Sequence, residues 1–187
     1  MVVTKAASLA VYDPDLTPTR AVLAQPLACV LFAVERIGDV RGRACAVLGL
    51  GPIGLLFAHV LAERGAARVV GVDPVDRRSV AGQFGLDHVV ARTSREWAAA
   101  LPEADRPDVV VEAVGHQVAT FNDALHAART QGSVFYFGVP DSPIYPIEMA
   151  SVMRKNLTLR GGVTPDRRRV LVAAGNYLAG PAPETRR

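Results

Sequence analysis

The chain has 187 residues and a formal net charge of +3, with 50% of its residues hydrophobic and 21% charged, the balance of a globular domain that can bury one good core. No apolar run approaches the roughly 18–20 residues of a membrane span, and the opening stretch meets Asp13 and Pro14 too early for a signal peptide, so a cytoplasmic setting is expected. Cys29 and Cys45 show no metal or disulfide spacing, and the late arginines (Arg167, Arg168, Arg169, Arg186, Arg187) lack interleaved aromatics, which sets nucleic acid aside.

Residues 1–19 alternate weakly around Pro14 and Pro18, which predicts a short extended arm. A helix over 20–37 follows, its apolar face running through Leu27, Leu31 and Val34, with a restart or kink at Pro26. Gly38 to Gly42 turns the chain into a first strand over 43–49. The pattern then alternates. A helix over 52–65 stops at Gly65, a strand covers 68–73, and a helix over 75–84 ends at Gly85. His88 opens a short strand, and Thr93 and Ser94 cap a helix over 95–101. A strand over 108–114 stops at Gly115, a helix covers 117–129, and Ser133 to Gly138 is another buried strand. Beyond Pro140 come a short helix over 147–154, a strand over 156–161, a last helix over 165–178 and a Gly/Pro tail.

Strands this continuously apolar are covered on both faces, and right-handed crossovers then give an α/β fold with a doubly wound parallel sheet, the Rossmann arrangement. The division expected is an arm and connecting helix over 1–37, a Rossmann domain over 38–180 and a tail over 181–187.

One stretch carries the chemistry. Between the first two strands stands Gly49-Leu50-Gly51-Pro52-Ile53-Gly54, and the second strand ends at Asp73. Gly49 permits the sharp exit from the strand, Gly51 clears space for a pyrophosphate, and Gly54 lets the helix approach the sheet. Pro52 suits the first helical position, and the helix N-terminus presents free N–H groups and the positive end of its dipole. Asp73 stands where a carboxylate accepts ribose hydroxyls. The motif alone is weak; between two strand patterns, with the acid in place, it is specific.

The run from about Ala21 to Leu178 resembles the cofactor-binding half of the zinc-type medium-chain alcohol and polyol dehydrogenases. The resemblance rests on Gln25-Pro26-Leu27-Ala28-Cys29, the glycine loop, Val70-Gly71-Val72-Asp73-Pro74, Val111-Glu112-Ala113-Val114-Gly115, Phe137-Gly138-Val139-Pro140 and the segment Arg154 to Gly161. It implies that Gly49, Gly51, Pro52, Ile53 and Gly54 hold the pyrophosphate, and that Asp73, Pro74 and Arg78 surround the adenosine ribose. It implies further that Ala113, Val114, Gly115, Gly138 and Val139, with Gly162 and Thr164, line the nicotinamide side. Asp73 would repel a 2′-phosphate, which favours NAD, while Arg77 and Arg78 leave NADP open. The strand over 156–161 implies a homodimer, because the corresponding strand in that family pairs across a two-fold axis.

The departures are equally informative. The family's zinc ligands come mainly from an N-terminal domain, and the residues before Gln25 hold no Cys or His, so no zinc is expected. Hydride transfer then needs another proton-handling group, for which His116 and Tyr145 are candidates, against the bland alternative of loop residues in solvent. Glu112, inside an apolar strand, reads as structural or cofactor-proximal. Three functions stay open: an NAD-dependent oxidoreductase acting on a small alcohol, polyol, sugar or natural-product intermediate; an NAD-binding module or subunit paired with a separate catalytic chain; and a pseudo-enzyme with a repurposed pocket.

Overall fold

The computed structural model describes residue 10 and residues 12–180. The expected tail and most of the expected arm therefore lie outside the described residues. Among the described residues six strands form one parallel sheet, in the order β3-β2-β1-β4-β5-β6. They are β1 (Ala44–Leu48), β2 (Arg68–Asp73), β3 (His88–Ala91), β4 (Val109–Glu112), β5 (Ser133–Tyr136) and β6 (Thr158–Gly161). The order reverses between β1 and β4, the switch point at which a doubly wound sheet opens a crevice beyond its carboxyl ends.

The helices follow from local chemistry. Where one helix over 20–37 was expected, the chain forms α1 (Pro18–Ala21) and then α2 (Ala24–Ile37). The first α2 hydrogen bond runs from Leu27 N–H to Leu23 O, so Pro26 sits in the opening turn, where its missing N–H costs nothing. α3 (Pro52–Glu63) starts on Pro52, and α5 (Ser94–Ala100) is capped by a reciprocal Thr93–Glu96 box. The helix expected over 75–84 is shorter: α4 (Arg78–Ala81) passes into a single 3-10 turn, Gly82–Phe84, ended by Gly85 at φ +69°. Residues 74–77 are a turn built on Asp73 and Asp76, whose carboxylates accept the N–H groups two residues on. α6 (Val118–Ala127), α7 (Met149–Arg154) and α8 (Arg167–Ala179) complete the set.

Alternation along the strands builds two cores. Cys45, Val47, Val69, Val109, Val111 and Phe135 face α2, α3 and α8, while Ala46, Leu48, Val72, Val110 and Val134 face α5 and α6. The buried face of α2, from Ala24 through Leu27, Leu31 and Val34 to Ile37, belongs to the first of these cores, so this helix packs against the sheet. Two basic side chains late in the chain close helix ends. Lys155 Nζ donates to the carbonyls of Leu125, His126 and Ala128 at 2.6–3.1 Å, and Arg160 donates to those of Arg36 and Ile37 at 2.5–3.0 Å. Among the described residues no helix is long and apolar enough to cross a membrane.

Candidate functional site

The carboxyl ends of β1, β2, β4 and β5 converge on the glycine loop. Gly49 leaves β1 at φ +86°, its N–H bonded to Val72 O at 2.8 Å. A side chain there would meet Val114 at 2.9 Å, so the first loop touches the loop after β4. A β-carbon on Gly54 would stand 1.8 Å from the Gly49 carbonyl oxygen, which makes glycine obligatory where α3 crosses the turn. Gly51 is different. Among the described residues nothing lies within 4 Å of where its β-carbon would be, so the loop leaves open space there. The first helical hydrogen bond of α3 is Leu55 N–H to Gly51 O, which leaves the N–H groups of Ile53 and Gly54 ahead of the ladder at the dipole's positive end. Pro52 is exposed and Ile53 half-buried beside them.

Asp73 ends β2 with both oxygens engaged. One accepts Leu50 N–H at 2.7 Å, and the other accepts Val75 N–H at 2.8 Å. Leu50 itself is wholly buried, and its methyl groups fill the space that a side chain on Gly71 would take, 2.7 Å from the missing β-carbon. The acid thus holds the glycine loop as well as facing the crevice, and each oxygen keeps a further lone pair. The Leu50–Gly71 packing went unread in the sequence, although a glycine inside an apolar strand is a signal of close approach. Pro74 is exposed in the following turn. Arg78 lies on the surface with its guanidinium forked onto Asp76 at 2.5–2.9 Å, which holds the Asp76 carboxyl down at about 2. Arg77 is half-buried and its Nε has no partner among the described residues.

Beyond β4, Ala113 N–H bonds to Leu48 O at 2.9 Å, Val114 is exposed, and Gly115 and His116 take left-handed conformations at φ +68° and +56°. His116 N–H bonds to Val139 O at 2.9 Å, and its exposed ring makes no hydrogen bond among the described residues. Gly138 is obligatory, since a β-carbon would fall 2.3 Å from Gly115 Cα; Val139 is 66% exposed beside it. Tyr145 is placed otherwise than a free proton donor would be. Its hydroxyl donates to Asp141 Oδ1 at 2.5 Å and accepts Asp141 N–H at 3.1 Å, closing its own loop. Gly162 is exposed at φ +137°, and Thr164 bonds within the turn that precedes α8.

Glu112 has no solvent exposure and ends β4 on the α6 side, where its Oε1 accepts Thr120 Oγ1, Val114 N–H and Gly115 N–H. The sequence offered no sign of Thr120.

The remaining candidates lie elsewhere. His59 is half-buried on α3, its Nε2 2.9 Å from the Tyr177 hydroxyl, and burial lowers its proton affinity. His126 pairs with Glu148 on the outer surface, and His88 begins β3. Cys29 accepts the Gln25 amide at 3.2 Å, and burial pushes the free Cys45 thiol up to about 12. Among the described residues no three His, Cys, Asp or Glu side chains are placed to hold a metal ion.

A six-stranded parallel sheet ordered 3-2-1-4-5-6, with a glycine turn feeding a helix at its switch point, defines a dinucleotide-binding Rossmann domain. The chain belongs to the zinc-binding dehydrogenase family, which it matches over residues 52–173. It is 33% identical to the sorbitol dehydrogenase of Bombyx mori over 139 residues, covering 70% of this chain and 40% of that one. Among solved structures, the Thermus alcohol dehydrogenase TADH superposes with a TM-score of 0.77 at 30% identity, over 91% of this chain and 50% of that one. A Sinorhizobium meliloti structure, described as a zinc-binding dehydrogenase bound to NADP, gives 0.77 at 25% identity, over 89% and 51%. The chain spans about two-fifths of the length of the curated relatives it matches.

Proposed function

We propose that this chain binds NAD(H) in the crevice above Gly49–Asp73 and serves an oxidoreductase that acts on a small alcohol or polyol. The open space over Gly51, facing the ladder-free N–H groups of α3, carries the reading: it is anionic-ligand space bounded by donors and closed by no side chain. The pyrophosphate would lie on Gly49, Gly51, Ile53 and Gly54, and the adenosine ribose against Asp73. The nicotinamide would lie toward Ala113, Val114, Gly115, Gly138 and Val139. The cofactor, when bound, supplies the hydride acceptor or donor.

Engagement of Arg78 by Asp76 supports NAD over NADP, because it leaves that guanidinium committed beside a carboxylate that repels a 2′-phosphate. His116 is the group for proton transfer, since its ring is exposed at the ligand end of β4 and unbonded among the described residues, while the Tyr145 hydroxyl is taken by Asp141. The polyol and alcohol dehydrogenases among the relatives support the substrate class.

A second reading has an observation of its own. Val114, Val139 and Val163 follow β4, β5 and β6 at the crevice rim and are 38%, 66% and 90% exposed. Such a rim suits a cofactor-binding subunit that meets a separate catalytic chain. Edge strand β6, in which Thr158 and Arg160 are exposed, suits pairing with a second copy. Titration with NADH and then NADPH, read by fluorescence transfer, tests the proposal. No binding of either refutes it. Turnover of an alcohol panel by the isolated chain with NAD refutes the subunit reading, and a monomer by light scattering refutes the pairing.

A further inference from the structure

Among the described residues Glu112 is the one charged side chain with no solvent exposure, and the cofactor reading above leaves it without a task. Three donors converge on its Oε1: Thr120 Oγ1 at 2.8 Å, and the N–H groups of Val114 and Gly115, each at 3.1 Å. Its main-chain carbonyl accepts two more, from Phe137 at 2.9 Å and Gly138 at 3.2 Å. One residue therefore fixes the segment after β4 through its side chain and the segment after β5 through its backbone. The two segments are also pressed together, by Gly115 against Gly138 and by His116 N–H on Val139 O.

The second carboxyl oxygen, Oε2, is buried without a partner among the described residues, 2.6 Å from where a β-carbon on Gly138 would stand. Leucine would occupy this place without that cost. What the carboxyl adds is an acceptor that gathers three donors around a turn holding two consecutive left-handed residues, one of them His116, a backbone that does not hold itself.

We propose that Glu112, with Thr120 as its partner on α6, is the positioning residue of the nicotinamide half of the site. It acts on the cofactor only through the 113–116 and 137–139 segments. The inference rests on the NAD(H) reading and gives it a spatial prediction. A dinucleotide straddles the switch point, so its adenosine half belongs to β1–β2 and its nicotinamide half to β4–β5. Disturbing Glu112 should therefore weaken ligands that reach the second half and spare those confined to the first.

The experiment compares NADH with ADP-ribose, which lacks the nicotinamide ring, on the full chain. Glu112→Leu is expected to raise the Kd for NADH by about tenfold or more while the Kd for ADP-ribose stays within about twofold. Glu112→Gln, which retains an acceptor oxygen, is expected to stay near the native chain for both ligands. Equal weakening of both ligands would assign Glu112 to the fold alone and overturn the proposal, as would no change in either. If the leucine variant does not fold, Thr120→Val decides. It removes one donor of three and should weaken NADH by about threefold with ADP-ribose unchanged; the same effect on both ligands, or none, overturns the proposal. A native chain that binds neither ligand overturns the cofactor reading and this inference with it. A native chain that binds both isolates the question to Glu112.

Discussion

Asp73→Ala separates two tasks that one carboxylate performs. In the folded chain its oxygens accept the N–H groups of Leu50 and Val75. Leu50 is wholly buried, so its N–H finds no water when the carboxylate goes, a loss of about 1–3 kcal/mol. Val75 is 53% exposed and its N–H turns to solvent at little cost. Stability should thus fall by about 1–3 kcal/mol, which for a chain of this size is a melting point lower by roughly 2–12 °C. The proposed ribose bonds add a separate effect. Hydrogen bonds to a charged acceptor are worth about 1.5–3 kcal/mol, so NADH affinity should drop roughly 10- to 150-fold at a temperature where the variant is folded. Asp73→Asn keeps one acceptor oxygen and should fall between. Circular dichroism on heating and fluorescence titration read the two quantities independently. An unchanged melting point would refute the hold on the glycine loop, and unchanged affinity in the folded variant would refute the ribose assignment.

The two glycines of the loop should respond oppositely. Gly51→Ala adds a methyl group to open space at an unstrained φ of −66°, so stability should move by less than about 0.5 kcal/mol while NADH binding weakens. Gly54→Ala drives a β-carbon into the Gly49 carbonyl and should cost about 3 kcal/mol or more, seen as a lower urea midpoint. Lys155→Met uncaps three carbonyls at the end of α6 and should destabilise by about 1–3 kcal/mol, measured the same way. His59 gives a pH test. Burial lowers its proton affinity in the fold, against a smaller opposing pull from Glu63, while in the unfolded chain it titrates near about pH 6.5. Below that pH the unfolded state binds more protons, so stability should fall as pH drops from about 7 toward 5. His59→Gln should flatten that slope in urea midpoints taken at each pH; an unaltered slope would assign it to other groups.

Much of the crevice was legible because its determinants are local. Gly49, Gly51, Gly54 and Asp73 announce a turn, an opening, a helix approach and an acid at fixed spacing, and each of those demands is met within one β-α-β unit. The continuously apolar strands likewise foretold a parallel sheet covered on both faces, because apolar content is a property of consecutive residues. Helix ends were less legible. The turn over 74–77 shortens α4 because Asp73 and Asp76 bond to nearby backbone, a competition that helix propensity does not register.

Contacts between distant segments were fixed only by the tertiary structure. Arg78 matched an expected ribose neighbour by position, yet its guanidinium lies on Asp76; Tyr145 sat at a suitable distance past β5, yet its hydroxyl closes a loop on Asp141. Lys155 and Arg160 cap α6 and α2, partners far away along the chain that no local pattern announces. Glu112 could be recognised in sequence as an acid in an apolar strand, but its three donors come from the turn that follows it and from α6. Spacing along the chain specifies where a backbone turns. Where a long polar side chain finds its partner depends on which segments the packed sheet brings within about 3 Å, and that is settled only when the whole core has closed.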